Sequence, residues 1–165
     1  MVKKVLIWAQ TLDGTIALNG QIPWHQHADM RFFAQTTYGQ VVVMGRHTME
    51  SMHGQPLPGR TNLVLTHDTG LTMPAGFQRI LSMAAAEEIA QQKQSDLMII
   101  GGKPIYESYL PIADQLLVTY LQSDLQGDVK MEPVNLGQWQ RKVVQAGPAD
   151  VENDYAYEIV DYRRN

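Results

Sequence analysis

The residue whose neighbours best equip it for chemistry is Asp29, in the stretch from Asn19 to Phe33. Asn19-Gly20 tolerates positive φ and signals a turn, Pro23 fixes the approach to Trp24, and Met30, Phe33, Ala34 and Thr37 recur at helical spacing. The spacing predicts a short helix over Ala28 to Thr37. Asp29 falls in its first turn, where backbone N–H groups favour a carboxylate, and Phe33 lies four residues on along the same face. Two uses fit that position. Asp29 caps the helix, as aspartates near an N-terminus commonly do, or it anchors a polar, cationic group inside an aromatic-lined pocket.

Two glycine turns offer anion chemistry. Val41 to Met44 is an unbroken apolar run ending in Gly45-Arg46-His47-Thr48, with a helical start at Met49 to Met52. A glycine between a buried strand and a helix lets backbone N–H groups face an anion, and Arg46, His47 and Thr48 add donors; the alternative is a plain turn with two exposed basic residues. Leu97 to Ile100 runs into Gly101-Gly102-Lys103-Pro104 and then a helical Ile105 to Leu110. Paired glycines allow close backbone approach, and Pro104 suits a first helical turn. Neither the dinucleotide fingerprint nor a P-loop is present. Arg60, after Pro56, Pro58 and Gly59, either balances surface charge or presents its planar fork to a carboxylate.

The elements that must position these residues read as a mixed α/β domain. Val5 to Ala9 is apolar without alternation, the pattern of a strand covered on both faces. Thr11 to Gln21, with Asp13-Gly14 and Asn19-Gly20, reads as a long irregular loop or loose hairpin. Further strands are expected at Asn62 to Thr66, Phe77 to Leu81 and Gln115 to Leu121, and a helix at Met83 to Gln92 with Ser82 as its cap. Pro111 should end the helix before it. After Asn135 the pattern turns antiparallel, with Trp139, Val143 and Val144 on one strand and Tyr155, Tyr157, Ile159 and Val160 on another, joined near Gly147-Pro148. The 165 residues carry a formal charge of −4 and no cysteine. One domain over residues 1–165 is expected, without disulfides, and without the basic stripe that nucleic acid or a membrane surface would need. His25, His27 and His47 do not form a metal-ligand spacing, and no serine sits in a nucleophile elbow.

Taken in order, several motifs resemble the dihydrofolate reductase family, in its bacterial form, along nearly the whole chain. They are Ile22-Pro23-Trp24 with Asp29 five residues beyond Trp24, the runs from Gly45 to Ser51 and from Leu57 to Asn62, Ile100-Gly101-Gly102, and Gly127-Asp128. The resemblance implies a central mixed, mostly parallel eight-stranded sheet flanked by four helices. It also implies reduction of dihydrofolate to tetrahydrofolate with NADPH as hydride donor, by a cytoplasmic monomer that also takes antifolate-type small molecules and uses no metal.

By position, the resemblance makes Asp29 the carboxylate that holds the pterin edge and promotes N5 protonation, with Trp24 and Thr119 as its water-mediated supports. Ile7, Trp8, Ala9, Met30, Arg31, Phe33, Met52 and Leu57 match the substrate walls, and Arg60 matches the partner of the glutamate α-carboxylate. The cofactor side would comprise Ala9, Ile16, Ala17, Gly45, Arg46, His47, Thr48, Leu65, Thr66, His67, Ile100, Gly101, Gly102, Lys103, Pro104 and Ile105. The loop from Leu12 to Trp24 resembles a mobile lid. This chain departs from the family pattern at Ala17, where glycine is usual, at His27, where proline is usual, at Ala34, which is often basic, and at Lys103-Pro104. A pteridine or pyrimidine reductase, or a silent folate- or nucleotide-binding protein, is the competing reading. Asp29 together with Arg60, and Trp24 with Thr119, argue against both.

Overall fold

Runs of apolar residues long enough to be covered on both faces become the middle strands of one sheet. The computed structural model describes residues 2–165. Its strands are β1 (Lys4–Gln10), β2 (Thr15–Ala17), β3 (Val41–Met44), β4 (Thr61–Leu65), β5 (Phe77–Ile80), β6 (Leu97–Ile99), β7 (Gln115–Leu121), β8 (Val129–Lys130), β9 (Trp139–Gly147) and β10 (Tyr157–Arg164). Four α-helices join them: α1 (His27–Thr37), α2 (Arg46–Ser51), α3 (Met83–Gln92) and α4 (Lys103–Tyr109). Eight strands form a sheet in the order β5-β4-β3-β6-β1-β7-β10-β9, and β2 pairs with β8 separately. This is the mixed α/β sheet with four helices expected above.

Two compact units are distinguishable, one of residues 2–6 and 36–113, the other of 7–35 and 114–165. In the first, β3, β4, β5, β6 and the Lys4 to Leu6 part of β1 pair in parallel. Val41, Val42, Val43, Met44, Leu97, Met98 and Ile99 are all buried, each side chain contributing roughly 1.5–3 kcal/mol on leaving water. Helix α3 begins where Ser82 Oγ accepts from the Ala85 N–H, and Ala86 and Ala90, four apart, form its buried stripe.

In the second unit β7, β10 and β9 are antiparallel, and a bulge at Ile159/Val160 sets Ile159 against Gln145 and Val160 against Val143. Val144 is thus the extra residue, which explains two adjacent valines on a strand that should alternate. Trp24, Leu121, Tyr157 and Ile159 form a core against which Ala9, Ala28, Phe32 and Tyr155 pack.

Some expectations are corrected. Of the two forms expected for Thr11 to Gln21, the loose hairpin is the one present, with Leu18 bridging Gln21 around the Asn19-Gly20 turn, but the segment also contains a strand, β2, that pairs with β8. The β9–β10 connection spans 148–156, so Tyr155 lies before the strand, where the Gln26 amide holds its backbone. The α-helix before Pro111 does end there, at Tyr109 with Leu110 as its cap, but a 3-10 turn, Leu110–Ile112, follows it and tolerates proline in its first residues. On α1 the packed pair is Ala28 and Phe32, and Met30 is 65 % exposed, because Trp24 plugs the sheet-facing side one residue out of phase with the expected stripe.

Candidate active site

Strand alternation decides which β7 side chains face α1. Leu121 joins Ala28 and Phe32 in the core, so Thr119, two residues before it, shares that face. Thr119 Oγ1 donates directly to Asp29 Oδ1 at 2.6 Å, in place of the water-mediated support expected. Burial raises the Asp29 carboxyl above the usual carboxylate range, and the Thr119 hydrogen bond opposes that shift. A partly buried carboxylate in the first turn of α1, held by one hydroxyl, is equipped to bind a cationic or N–H-rich edge and to raise its proton affinity. The Asp29 side chain bonds Thr119 on β7, and the N–H groups that open α1 find their acceptors in residues 152–153, so anchoring is the use the geometry favours. Trp24, only 7 % exposed, closes the core beneath.

The opposite, even-numbered side of β7 carries Leu116, Val118 and Tyr120, which line a cleft of about 390 Å³ with Trp8, Gln10, Leu12 and Asp13. The Trp8 side chain therefore points away from the Thr119 face, leaving its backbone and Ala9 on the Asp29 side of the strand. Phe33 is half-buried, whereas Arg31 is exposed and its Nη2 donates to His27 Nε2 at 2.7 Å.

The loop from Leu12 to Trp24 is built from contacts that sequence spacing does not reveal. Asp13 Oδ1 accepts from the Thr11 and Thr15 hydroxyls at 2.7 and 2.8 Å, and Oδ2 lies 2.8 Å from Lys130 Nζ. That ammonium, foremost, holds the Asp13 carboxyl well below the usual range. Gly14 has φ +92° and a Cβ there would meet the Met131 carbonyl at 2.7 Å; Gly127 is equally confined, its Cβ position 2.2 Å from the Ala17 carbonyl. Ile16 and Ala17 belong to β2, Asp128 Oδ2 accepts from the Asn19 N–H at 3.0 Å, and the Ala17 carbonyl accepts from the Asp128 N–H at 3.1 Å.

In the first unit two glycine turns meet. The Gly45 N–H donates to the Gly101 carbonyl at 2.8 Å, and Ile100 N–H to Val43 at 2.9 Å. Gly101 has φ +111°, its peptide to Gly102 is cis, and a Cβ on Gly45 would lie 2.9 Å from Ile105. Ile105 and the Tyr106 ring crowd the Gly45 and Gly101 positions, so two glycine turns with backbone in contact lie at the start of α2 and α4, an arrangement suited to an anion. Arg46, His47 and Thr48 open α2 itself, one turn earlier than the helical start expected at Met49. The His47 side chain is 98 % exposed. Arg46 is engaged, with Nε on Glu50 Oε1 at 3.1 Å and Nη1 on Asp68 Oδ2 at 3.2 Å.

Leu65 ends β4, Thr66 Oγ1 accepts from the Asp68 N–H at 3.2 Å, and His67 is exposed. Gly102 caps α4, with Lys103 and Pro104 in its first turn. Arg60 donates from Nε to Thr37 Oγ1 at 3.2 Å and from Nη1 to the Pro58 carbonyl at 2.7 Å, under the Tyr38 ring at 5.6 Å. Asn62 fixes Leu57 through both its N–H and its carbonyl, each at 3.0 Å, and Met52 is half-buried. Sequence reasoning missed Lys130, Thr15 and Asn153, whose contacts in that loop and with α1 bridge more than a hundred residues.

Comparison with known proteins gives the same reading from a separate direction. The family pattern described as Dihydrofolate reductase matches residues 3–164. Dihydrofolate reductase type 3 of Salmonella typhimurium is 39 % identical over 160 residues, covering 96 % of each chain. The dihydrofolate reductase of Haemophilus influenzae is 36 % identical over 154 residues, covering 91 % of each. Among solved structures, dihydrofolate reductase from Enterococcus faecalis complexed with NADP(H) and RAB-propyl superposes with a TM-score of 0.86 at 31 % identity, covering 99 % of this chain and 96 % of that one. With the sheet order, the Asp29–Thr119 pair and the two glycine turns on one side and matches that run from end to end on the other, this chain belongs to the dihydrofolate reductase family.

Proposed function

We propose that the chain, acting as one domain and as a cytoplasmic monomer, reduces 7,8-dihydrofolate to 5,6,7,8-tetrahydrofolate with NADPH, and that Asp29 is its catalytic carboxylate. The observation that carries the assignment is the desolvated Asp29 carboxyl bonded to Thr119. Reduction of the C6=N5 imine needs a hydride at C6 and a proton at N5. NADPH, when bound, supplies the hydride. The residues suited to hold it are Gly45, Gly101 and Gly102 through close backbone approach, Arg46, His47 and Thr48 through side-chain donors, and Thr66 and His67 at the end of β4.

On the substrate, Asp29 accepts hydrogen bonds from the N3 and 2-amino edge of the pterin, and its negative charge raises the proton affinity of N5. Thr119, by donating to one carboxylate oxygen, leaves the other directed to substrate and fixes the carboxyl plane. Arg60, oriented by Thr37 and Pro58, has the planar guanidinium suited to the glutamate α-carboxylate. The β2 lid, tied to β8, excludes bulk water while the proton moves. The test is direct: NADPH oxidation on addition of dihydrofolate, absent when either is omitted and strongly reduced in Asp29→Asn.

A further inference from the structure

A helix must satisfy the N–H groups of its first turn from outside itself, and α1, which carries Asp29, does so with chain more than a hundred residues away. The Ala28 N–H donates to Asn153 Oδ1 at 2.9 Å, and the His27 N–H to the Glu152 carbonyl at 3.0 Å. Gln26, the residue preceding the helix, spends its own amide elsewhere: Nε2 donates to the Tyr155 carbonyl at 2.6 Å and Oε1 accepts from the Tyr155 N–H at 3.2 Å. Gln26 and Asn153 are both buried, and their backbones form a bridge.

Asn153 is in turn held by Asp150. Asp150 Oδ1 accepts from the Asn153 N–H at 2.9 Å and from its Nδ2 at 3.0 Å, so the amide can present only its oxygen to Ala28. The turn from 150 to 155 is thus a cap supplied in trans, with its polarity set by a carboxylate behind it. Asp29 is the next residue after Ala28. Its Oδ1 reaches Thr119 at 2.6 Å, a distance that tolerates little movement of the helix end.

We infer that Asn153, oriented by Asp150, is a positioning residue for the catalytic carboxylate: it fixes the first turn of α1 and thereby keeps Asp29 against Thr119. The inference rests on the assignment of Asp29 proposed above. Asn153 touches neither reacting atom; it acts through the Ala28 N–H.

The experiment compares wild type, Asn153→Ala, Asn153→Asp and the double variant Asp150→Asn/Asn153→Asp. Alanine removes the acceptor. Aspartate keeps it but sets two carboxylates against each other, and the double variant exchanges the polarities and restores both the acceptor and its support. Two readouts are taken at temperatures where every variant is folded: kcat and KM for dihydrofolate, and the carbon-13 titration of the Asp29 carboxyl in the free protein. The expected result is a loss of about tenfold in kcat/KM for Asn153→Ala, with the Asp29 titration moved further above that of an ordinary aspartate, because the Thr119 hydrogen bond that opposes its raised value is the contact weakened. The double variant should recover both more fully than Asn153→Asp alone. Unchanged kcat/KM and an unmoved Asp29 titration in folded Asn153→Ala would overturn the inference and leave Asn153 a purely structural cap. Absence of dihydrofolate-dependent NADPH oxidation in wild type would refute the proposed activity instead, while the titration still judges Asn153.

Discussion

Replacing Asp29 with asparagine separates what the carboxylate does for the reaction from what it costs the fold. The amide has nearly the same shape, and its Oδ1 can still accept from Thr119 at a separation that is 2.6 Å in the wild type. The hydrogen bond passes from the charged class, roughly 1.5–3 kcal/mol, to the neutral class, roughly 0.5–1.5 kcal/mol, a loss of about 1 kcal/mol. Removing a desolvated charge acts in the opposite sense. The two nearly cancel at neutral pH, so Tm should stay within roughly 2–4 °C of wild type, the shift that about 1 kcal/mol produces in a domain of this size.

Activity should not be spared: loss of proton-transfer assistance is worth about 10²-fold or more in kcat/KM at neutral pH. The deficit should narrow in acid, where solvent protons reach N5 without the field of Asp29. Stability carries its own signature. The folded chain binds the Asp29 proton more tightly than the unfolded chain does, since burial raises the carboxyl above its ordinary value of 3.8. Wild-type stability from this group therefore grows as pH falls through the raised value toward the ordinary one and is lost as pH rises again; asparagine erases that slope. Steady-state rates and thermal melts across pH, on both proteins, measure all of this. Unchanged neutral-pH kcat/KM in the variant refutes the catalytic assignment, and a melting profile with the same pH slope as wild type refutes the desolvation argument.

Other perturbations follow from the same geometry. Arg60→Leu should weaken dihydrofolate much more than a pterin lacking the glutamate tail, by steady-state KM on the two substrates; equal losses would make Arg60 a support for Thr37 and Pro58 alone. Arg46→Leu should lower the NADPH/NADH ratio of kcat/KM chiefly through NADPH, whereas Asp68→Asn should raise it by several-fold, because the Arg46–Asp68 pair at 3.2 Å must share its cation with an incoming phosphate. If both cofactors respond alike, Arg46 serves the shared pyrophosphate or the turn itself. Lys130→Met should destabilise the chain at neutral pH, with the difference closing as acid protonates Asp13, since a carboxyl held low contributes stability above its unfolded value and loses it as pH falls through the folded one. Melts of the two proteins from neutral to strongly acid pH would show whether the curves converge.

What the sequence disclosed and what it withheld divide along a physical line. Val41 to Met44, Gln115 to Leu121 and Met83 to Gln92 were each bounded to the residue, and Ser82 was identified as the α3 cap, because apolar runs, alanine content and capping chemistry act locally. The glycine turns at Gly45 and Gly101-Gly102 were legible for the same reason, although their mutual hydrogen bond was not. The Asp29–Thr119 pair entered through family resemblance, since no spacing rule links residues 90 apart. Lys130, Asn153 and the short β8 were invisible: each has meaning only through a partner more than a hundred residues off. Met30 misled because periodicity sets which side chains share a face, while the packing of Ala28 and Phe32 against the Trp24 core sets which face is buried; Val143 and Val144 do lie on one strand with Trp139, and only the bulge at Val144 was hidden.

The departures from the family pattern are intelligible on the same terms. Ala17 stands where glycine is usual, yet it lies within β2, outside the positive-φ residues, and its carbonyl accepts from the Asp128 N–H; the position makes no demand that alanine fails to meet. The demand for glycine falls instead on Gly127, whose Cβ would strike the Ala17 carbonyl. Pro104 occupies the first turn of α4, where a missing N–H costs little. His27 is the informative case. Where the family usually has proline, which has no N–H, His27 donates to Glu152 at 3.0 Å and opens α1. The turn at 150–155 consequently grips the helix through two successive N–H groups, those of His27 and Ala28. His27→Pro would remove the first of those two bonds and leave the Ala28–Asn153 bond to carry the grip, and should therefore deepen the effect of Asn153→Ala on kcat/KM beyond the product of the two single changes.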